Sequence, residues 1–184
     1  MAKNNTPEHH PHTHAQNRFG VIPTPLRMNA RPEFTGKGVT IAFLDSGFYA
    51  HPDLTEPENR ILAFEDISRR RATLNANRAP KPWDWHGTQT SVVAAGNGYL
   101  SDGIYRGIAA DAQVVLVKVG AEGKITEEHI ARGLEWVISN KDRYDIRIVN
   151  ISLGGDQEIS FQESIVDQAA EEAVRLGIVV VAAA

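Results

Sequence analysis

The sequence predicts an α/β fold built on a mostly parallel sheet. Four apolar runs rich in β-branched residues are typical of strands that are buried on both faces. Helical patterns separate the last three of them, and strand, helix and strand in succession indicate βαβ units with parallel pairing. We therefore expect three layers and about four core strands, at residues 39–44, 114–119, 148–152 and 178–182.

Each predicted helix has its own signal. Residues 88–95 form a short, weakly periodic segment that ends at a glycine. Residues 127–140 carry an apolar stripe at helical spacing, with Thr126 as the expected N-cap. A capping box, Ser160 to Glu163, predicts the start of the last helix, and Gly177 is expected to end it.

Two segments lack such patterns. Residues 1–35 are expected to form a polar N-terminal extension ahead of one domain at residues 36–184. Residues 56–82 contain prolines, asparagines and three consecutive arginines but few apolar positions, so we expect most of them to form a long surface loop.

Composition excludes several function classes. The 184 residues include 19 basic and 23 acidic side chains, for a formal charge of −4, which argues against a nucleic-acid partner. The chain has no cysteine, and therefore no disulfide, thiolate metal site or cysteine nucleophile. No stretch approaches the ~20 apolar residues of a membrane span, and the first 20 residues lack a signal-peptide core. We expect a cytoplasmic protein without a membrane partner, unless an upstream segment was removed.

Candidate catalytic residues come from the positions that follow the strands, because sites in open α/β sheets form at the carboxyl ends of strands. Asp45 follows the first strand, and His86 precedes a glycine where a helix begins. Taken alone, Asp45 fits an Asx turn and His86 fits an ordinary surface histidine next to a turn. Together they match a general device in which a carboxylate orients an imidazole that acts as a base.

Five segments in order resemble the subtilisin-like serine proteases, or subtilases. The aspartate motif is GKGVTIAFLDSGFYAHPDL and the histidine motif is HGTQTSVVAAG. The next three resemble the strand after the histidine motif (GIAADAQVVLVKV), the substrate-binding strand (IVNISLGG) and the strand before the oxyanion asparagine (GIVVVAAA). The five segments lie at residues 36–54, 86–96, 107–119, 148–155 and 177–184.

This resemblance implies a subtilisin-like fold and a serine endopeptidase that acts on peptides or proteins. Asp45 would orient the imidazole, and His86 would move the proton between the serine and the leaving amine. The substrate would lie as an added strand between two rims. One rim would be formed by Gly123 and Lys124, and the other by Ser152, Leu153, Gly154 and Gly155. In the histidine motif, Gln89, Thr90 and Ser91 stand where a histidine, a valine and an alanine are common, and we expect them to affect packing behind the imidazole.

The resemblance requires no cofactor for the chemistry but implies a structural calcium ion as an option. Asp53 matches a position that ligates calcium in many members, and Asn97, Ser101 and Asp102 offer further oxygens. One matched carboxylate is far from the six to eight oxygens that calcium takes.

The chain contains no motif for the catalytic serine that the resemblance implies. No Gly-Thr-Ser motif and no Gly-x-Ser-x-Gly motif occurs in the chain. We therefore expect residues 1–184 to be inactive by themselves and a further segment, in the same or a second chain, to complete the catalytic domain. A peptide-binding pseudoprotease stays open as an alternative. A nucleotide-binding domain lacks its Gly-x-Gly-x-x-Gly after the first strand, and a metal hydrolase lacks ligands at residues 154 and 155.

Overall fold

The fold was obtained as a computed structural model, which describes residues 20–69, 79–121, 124–154 and 160–183. Five strands form one sheet: β1 Thr40–Asp45, β2 Ile61–Asp66, β3 Gln113–Lys118, β4 Ile146–Ile151 and β5 Val179–Ala182. Their order across the sheet is β2-β3-β1-β4-β5, and each neighbouring pair is parallel. The predicted α/β class with a parallel sheet is confirmed.

Helices accompany this sheet. Two single-turn helices, α1 Thr24–Arg27 and α2 Pro52–Thr55, precede three longer ones. The longer helices are α3 Trp85–Ala95, α4 Glu127–Tyr144 and α5 Ile165–Arg175, and a 3-10 turn spans Tyr99–Ser101. None of the described helices is long and apolar enough to cross a membrane.

The core has two parts, one on each face of the sheet. Alternate residues of β1 point to opposite faces, as the pleat requires. Leu44 belongs to the cluster under α4 and α5, whereas Phe43 belongs to the cluster next to α3. Both side chains are almost fully buried, which explains why the strand sequence is continuously apolar rather than alternating.

The prediction of a long surface loop over most of residues 56–82 was wrong in part, because β2 lies within this segment. This strand, ILAFED, pairs only with β3 among the described strands and lies at the edge of the sheet. Its burial is therefore intermediate over most of its length, and two of its six residues are acidic. An edge strand needs fewer apolar residues than a central one, so its pattern is weak. The described sheet accordingly has five strands rather than about four.

Two helix limits also differ from the sequence prediction. The last helix begins after Ser164, whose hydroxyl accepts a hydrogen bond from the Asp167 N–H at 3.1 Å. The expected capping box at residues 160–163 instead forms a turn in which Glu163 N–H donates to the Ser160 carbonyl. Helix α4 continues to Tyr144 and ends where Asp145 adopts a left-handed conformation.

Candidate active site

Asp45 ends β1 at the carboxyl edge of the sheet, and its side chain is fully buried. A buried carboxylate needs hydrogen-bond donors. Ser46 supplies its N–H, 2.7 Å from Asp45 Oδ1, while its hydroxyl lies 3.2 Å from Oδ1 and 3.0 Å from the Trp83 carbonyl, with one proton for the two acceptors. The strand thus places one fixed, solvent-shielded carboxylate at the point where sites form in open α/β sheets.

His86 meets this carboxylate from the first turn of α3. Its Nδ1 lies 2.9 Å from Asp45 Oδ1 and 3.0 Å from Oδ2, across 41 positions of sequence. Because an ionised carboxylate only accepts, the contact assigns a proton to Nδ1 and leaves the lone pair on Nε2. The imidazole is 37% exposed while its partner is 0% exposed, so only the histidine of this pair is accessible from solvent.

Gly87 is the reason that the two elements come so close. A Cβ built on Gly87 would lie 2.3 Å from the Gly47 carbonyl oxygen and 2.8 Å from Asp45 Cβ. Both distances are below any real Cβ contact, so a larger residue would push the start of α3 away from β1. The glycine after the histidine therefore allows another segment to approach closely, as its residue type predicts, and the structure shows that this segment is β1 and the turn after it.

Thr90 takes part in the site, which the sequence interpretation missed. Its hydroxyl lies 3.0 Å from the Gly87 carbonyl and 3.3 Å from Asp45 Oδ2, with one proton for the two acceptors. The signal was available: Thr90 is four residues after His86, and such residues share one face of a helix. Gln89 is exposed and therefore does not pack behind the imidazole, whereas Ser91 is buried and donates to backbone carbonyls of its own helix.

An open cleft of about 600 Å³ runs past the imidazole. It is lined by residues around the end of β1 and the start of α3, and by residues that follow β3 and β4. The lining residues are Ser46, Pro82, Trp83, Trp85, His86, Ile125, Ser152, Leu153 and Gly154.

The structure therefore brings three of the six expected substrate-binding residues to the histidine. Ser152, Leu153 and Gly154 line the same cleft as His86, and a Cβ on Gly154 would meet no described atom within 4 Å. Lys124 is exposed and adjoins the cleft through its neighbour Ile125, but it does not line the cleft itself. Gly123 and Gly155 lie outside the described residues.

A buried ion pair lies along the same edge of the sheet, and the sequence interpretation did not identify it. Lys118 ends β3 and is in register with both Asp45 of β1 and Asp66 of β2. Its Nζ donates to Asp66 Oδ2 at 3.1 Å, to Ser68 Oγ at 3.1 Å and to the Gly120 carbonyl. All three ammonium protons have acceptors, so the pair fixes the ends of β2 and β3 next to the candidate site.

Asp53, the expected calcium ligand, lies in α2. Its carboxylate is buried, and Oδ1 accepts a hydrogen bond from the Leu100 N–H at 3.0 Å. Asn97 Oδ1 likewise accepts from the Tyr99 N–H. Among the described residues, no three His, Asp or Glu side chains cluster as metal ligands. These hydrogen bonds join α2 to the loop after α3, and a structural calcium ion at Asp53 stays a prediction.

Comparison with known proteins identifies the family. Residues 36–184 match the sequence profile described as the Subtilase family. The chain belongs to the subtilase family.

Named relatives agree with this membership. Serine protease AprX of Bacillus subtilis is 42% identical over 158 residues, which are 82% of this chain and 33% of that protein. Subtilisin Savinase of Lederbergia lenta is 32% identical over 81% of this chain and 48% of that protein. The subtilase chain thus spans only a third to a half of the length of these relatives.

Solved structures support the same fold. The CspB protease of Clostridium perfringens superimposes with a TM-score of 0.71 over 88% of this chain and 39% of that one, at 21% identity. Sphericase gives a TM-score of 0.59 over 80% of this chain and 46% of that one, at 26% identity. The expected subtilisin-like architecture is confirmed.

Proposed function

We propose that this subtilase is a serine endopeptidase that hydrolyses peptide bonds with an Asp-His-Ser triad, of which Asp45 and His86 are two members. The contact between the Asp45 carboxylate and His86 Nδ1, at 2.9 and 3.0 Å, is the observation that carries the proposal. Serine proteases among the relatives support peptides or proteins as the substrate class.

The geometry suits the two residues to distinct roles. Asp45 holds the imidazole as the Nδ1–H tautomer and stabilises the imidazolium that forms during the reaction. His86 Nε2, on the cleft side, takes the proton of the serine hydroxyl as the hydroxyl oxygen attacks the substrate carbonyl. The same nitrogen then gives that proton to the leaving amine, so that no proton is left over in the acylation step.

The substrate would bind as an extended strand along residues 152–154. Gly154 is exposed and has free space where a Cβ would lie, so a substrate backbone can approach within hydrogen-bond distance. We include Gly123, Lys124 and Gly155 in this proposed binding region on the family pattern alone.

The serine and the oxyanion donors would come from a further segment that covers β5. Val179 and Val181 of this strand are 58% and 50% exposed, and β5 pairs only with β4 among the described strands. An apolar edge of this kind favours pairing with additional strands. This exposure supports a continuation of the sheet in the active protein, and we expect residues 1–184 by themselves to lack peptidase activity.

Fluorophosphonate labelling of the complete gene product tests the proposal. We expect one labelled serine, and hydrolysis of a peptide substrate that the reagent abolishes. Asp45→Asn should lower kcat by about 10⁴-fold while the protein stays folded, because the wrong imidazole tautomer then forms. Asp53→Asn is the matched carboxylate control and should retain more than half of the activity.

A pseudoprotease would give a different result. It would bind peptides without cleaving them, and the reagent would label no serine in the complete protein. Specific labelling of the isolated 184-residue chain would contradict its expected inactivity. A cytoplasmic location stays a prediction, because relatives of this chain include a major intracellular serine protease and a minor extracellular protease. Cell fractionation decides it.

A further inference from the structure

Two tryptophans line the candidate active-site cleft, although the whole chain contains only three. Trp85 immediately precedes His86, and 62% of its surface is exposed. Its indole meets the imidazole edge to face, with ring centroids 5.3 Å apart and an interplanar angle of 89°. A large exposed aromatic next to a catalytic group is more typical of a binding surface than of a packing site.

The rest of the cleft lining is also largely apolar. Trp83 is half-buried and follows Pro82 in the chain, and Ile125 and Leu153 line the same cleft. Apart from His86, none of the described lining residues is ionisable at neutral pH. A charged substrate side chain that entered this space would lose water without gaining a described ionic partner, which costs free energy. An apolar side chain would gain contact area instead.

The direction of a bound strand decides which substrate residue meets Trp85. Successive side chains of an extended peptide point to opposite sides. If the side chain of the residue whose carbonyl is attacked points toward residues 152–154, the side chains of the two residues that flank it point away from them. A flanking side chain can then contact Trp85, which lines the same cleft beside His86.

We propose that Trp85 is a specificity-determining residue, and that it selects an aromatic or large aliphatic side chain at a position directly flanking the attacked residue. This inference rests on the proposed peptidase function and adds a substrate class to it.

The test uses the complete gene product and internally quenched peptides that are identical except at the two flanking positions. Phe or Leu there should give a kcat/KM at least about tenfold above that for Asp or Lys, since one pocket contact discriminates by this order. Trp85→Ala should reduce the ratio to less than about threefold. Trp85→Phe should preserve it, because the aromatic face remains.

Tyr99→Ser is the matched control, because Tyr99 is also an exposed aromatic, at 49%, but does not line the cleft. It should leave the ratio unchanged. An equal ratio in the wild type and in Trp85→Ala would overturn the inference, and so would a wild type without any preference. In both cases, cleavage of the peptides would still support the proposed peptidase function. Absence of both cleavage and fluorophosphonate labelling would overturn the two together.

Discussion

Gly87→Ala gives a sharp test of the contact between α3 and β1. Gly87 lies in a helix, where alanine is ordinarily preferred over glycine by about 1 kcal/mol. Helix propensity alone therefore predicts that the substitution raises the free energy of unfolding. The structure predicts the opposite sign, because the new methyl would lie 2.3 Å from the Gly47 carbonyl oxygen.

The size of the change in unfolding free energy depends on which atoms the new methyl group would displace. The nearest atom belongs to the backbone, and the next ones are Asp45 Cβ and a ring carbon of Phe48, both at 2.8 Å. None of them is the far end of a flexible side chain. Overpacking of this kind costs about 1–3 kcal/mol or more. After the gain in helix propensity of about 1 kcal/mol is subtracted, we expect a net loss of up to about 2 kcal/mol in the free energy of unfolding.

The effect on catalysis should be larger than the effect on stability. The overlap is relieved when the start of α3 moves away from β1, and this movement lengthens the distance between His86 Nδ1 and the Asp45 carboxylate. A displacement of about 1 Å in a catalytic group costs on the order of 10²-fold in rate. We expect kcat/KM of the complete protein to fall by about that factor, measured per correctly folded molecule after active-site titration.

Gly133→Ala is the matched control, because it is also a helical glycine over β1 but on the opposite face of the sheet. Its added Cβ would meet the Val119 Cγ1 at 2.8 Å and the Leu44 Cδ2 at 3.1 Å. It should lower stability in urea denaturation while kcat/KM per folded molecule changes by less than about threefold. A Gly87→Ala protein as stable and as active as the wild type would refute the reasoning.

Two further predictions concern the same edge of the sheet. Lys118→Met should lower the free energy of unfolding by about 3–5 kcal/mol in denaturant titration, because it leaves the buried Asp66 carboxylate without its cation. The double variant with Asp66→Leu should recover at least half of that loss, and a double variant no more stable than the single one would contradict this explanation. Gly154→Ala should change stability by less than about 0.5 kcal/mol, since its Cβ meets no described atom, but should raise KM for peptides several-fold. An unchanged KM would contradict the proposed substrate strand.

Much of the fold followed from periodicity in the sequence. The central strands β1 and β3 are buried on both faces over nearly their whole length, so their sequences had to be almost continuously apolar and were easy to identify. The stripe of α4 was equally clear, and its N-cap Thr126 accepts from the His129 N–H as expected. The weak signals belonged to β2, whose edge position relaxes the demand for apolar residues, and to the start of α5, where two serines compete as caps.

The candidate site likewise has contacts that the sequence predicted and contacts that it did not. Motif order was sufficient to select Asp45 and His86, and the resemblance to the subtilases predicted that the two side chains would meet. The contact of the Asp45 carboxylate with the Thr90 hydroxyl depends on the rotation of α3 about its axis. The pairing of Lys118 with Asp66 depends on a strand order in which β2 follows β1 in the chain but lies beyond β3 in the sheet.

The sequence by itself thus determined the family, the parallel sheet and the identity of the aspartate and the histidine. These properties follow from residue types and from the spacing of residues within short segments. Only the tertiary structure decided that Gly87 sets the distance between α3 and β1, that Trp85 faces the cleft, and that Asp53 is engaged by the Leu100 N–H. The physical reason is that such contacts depend on how separate elements are rotated and packed against one another, which the short-range pattern within each element does not encode.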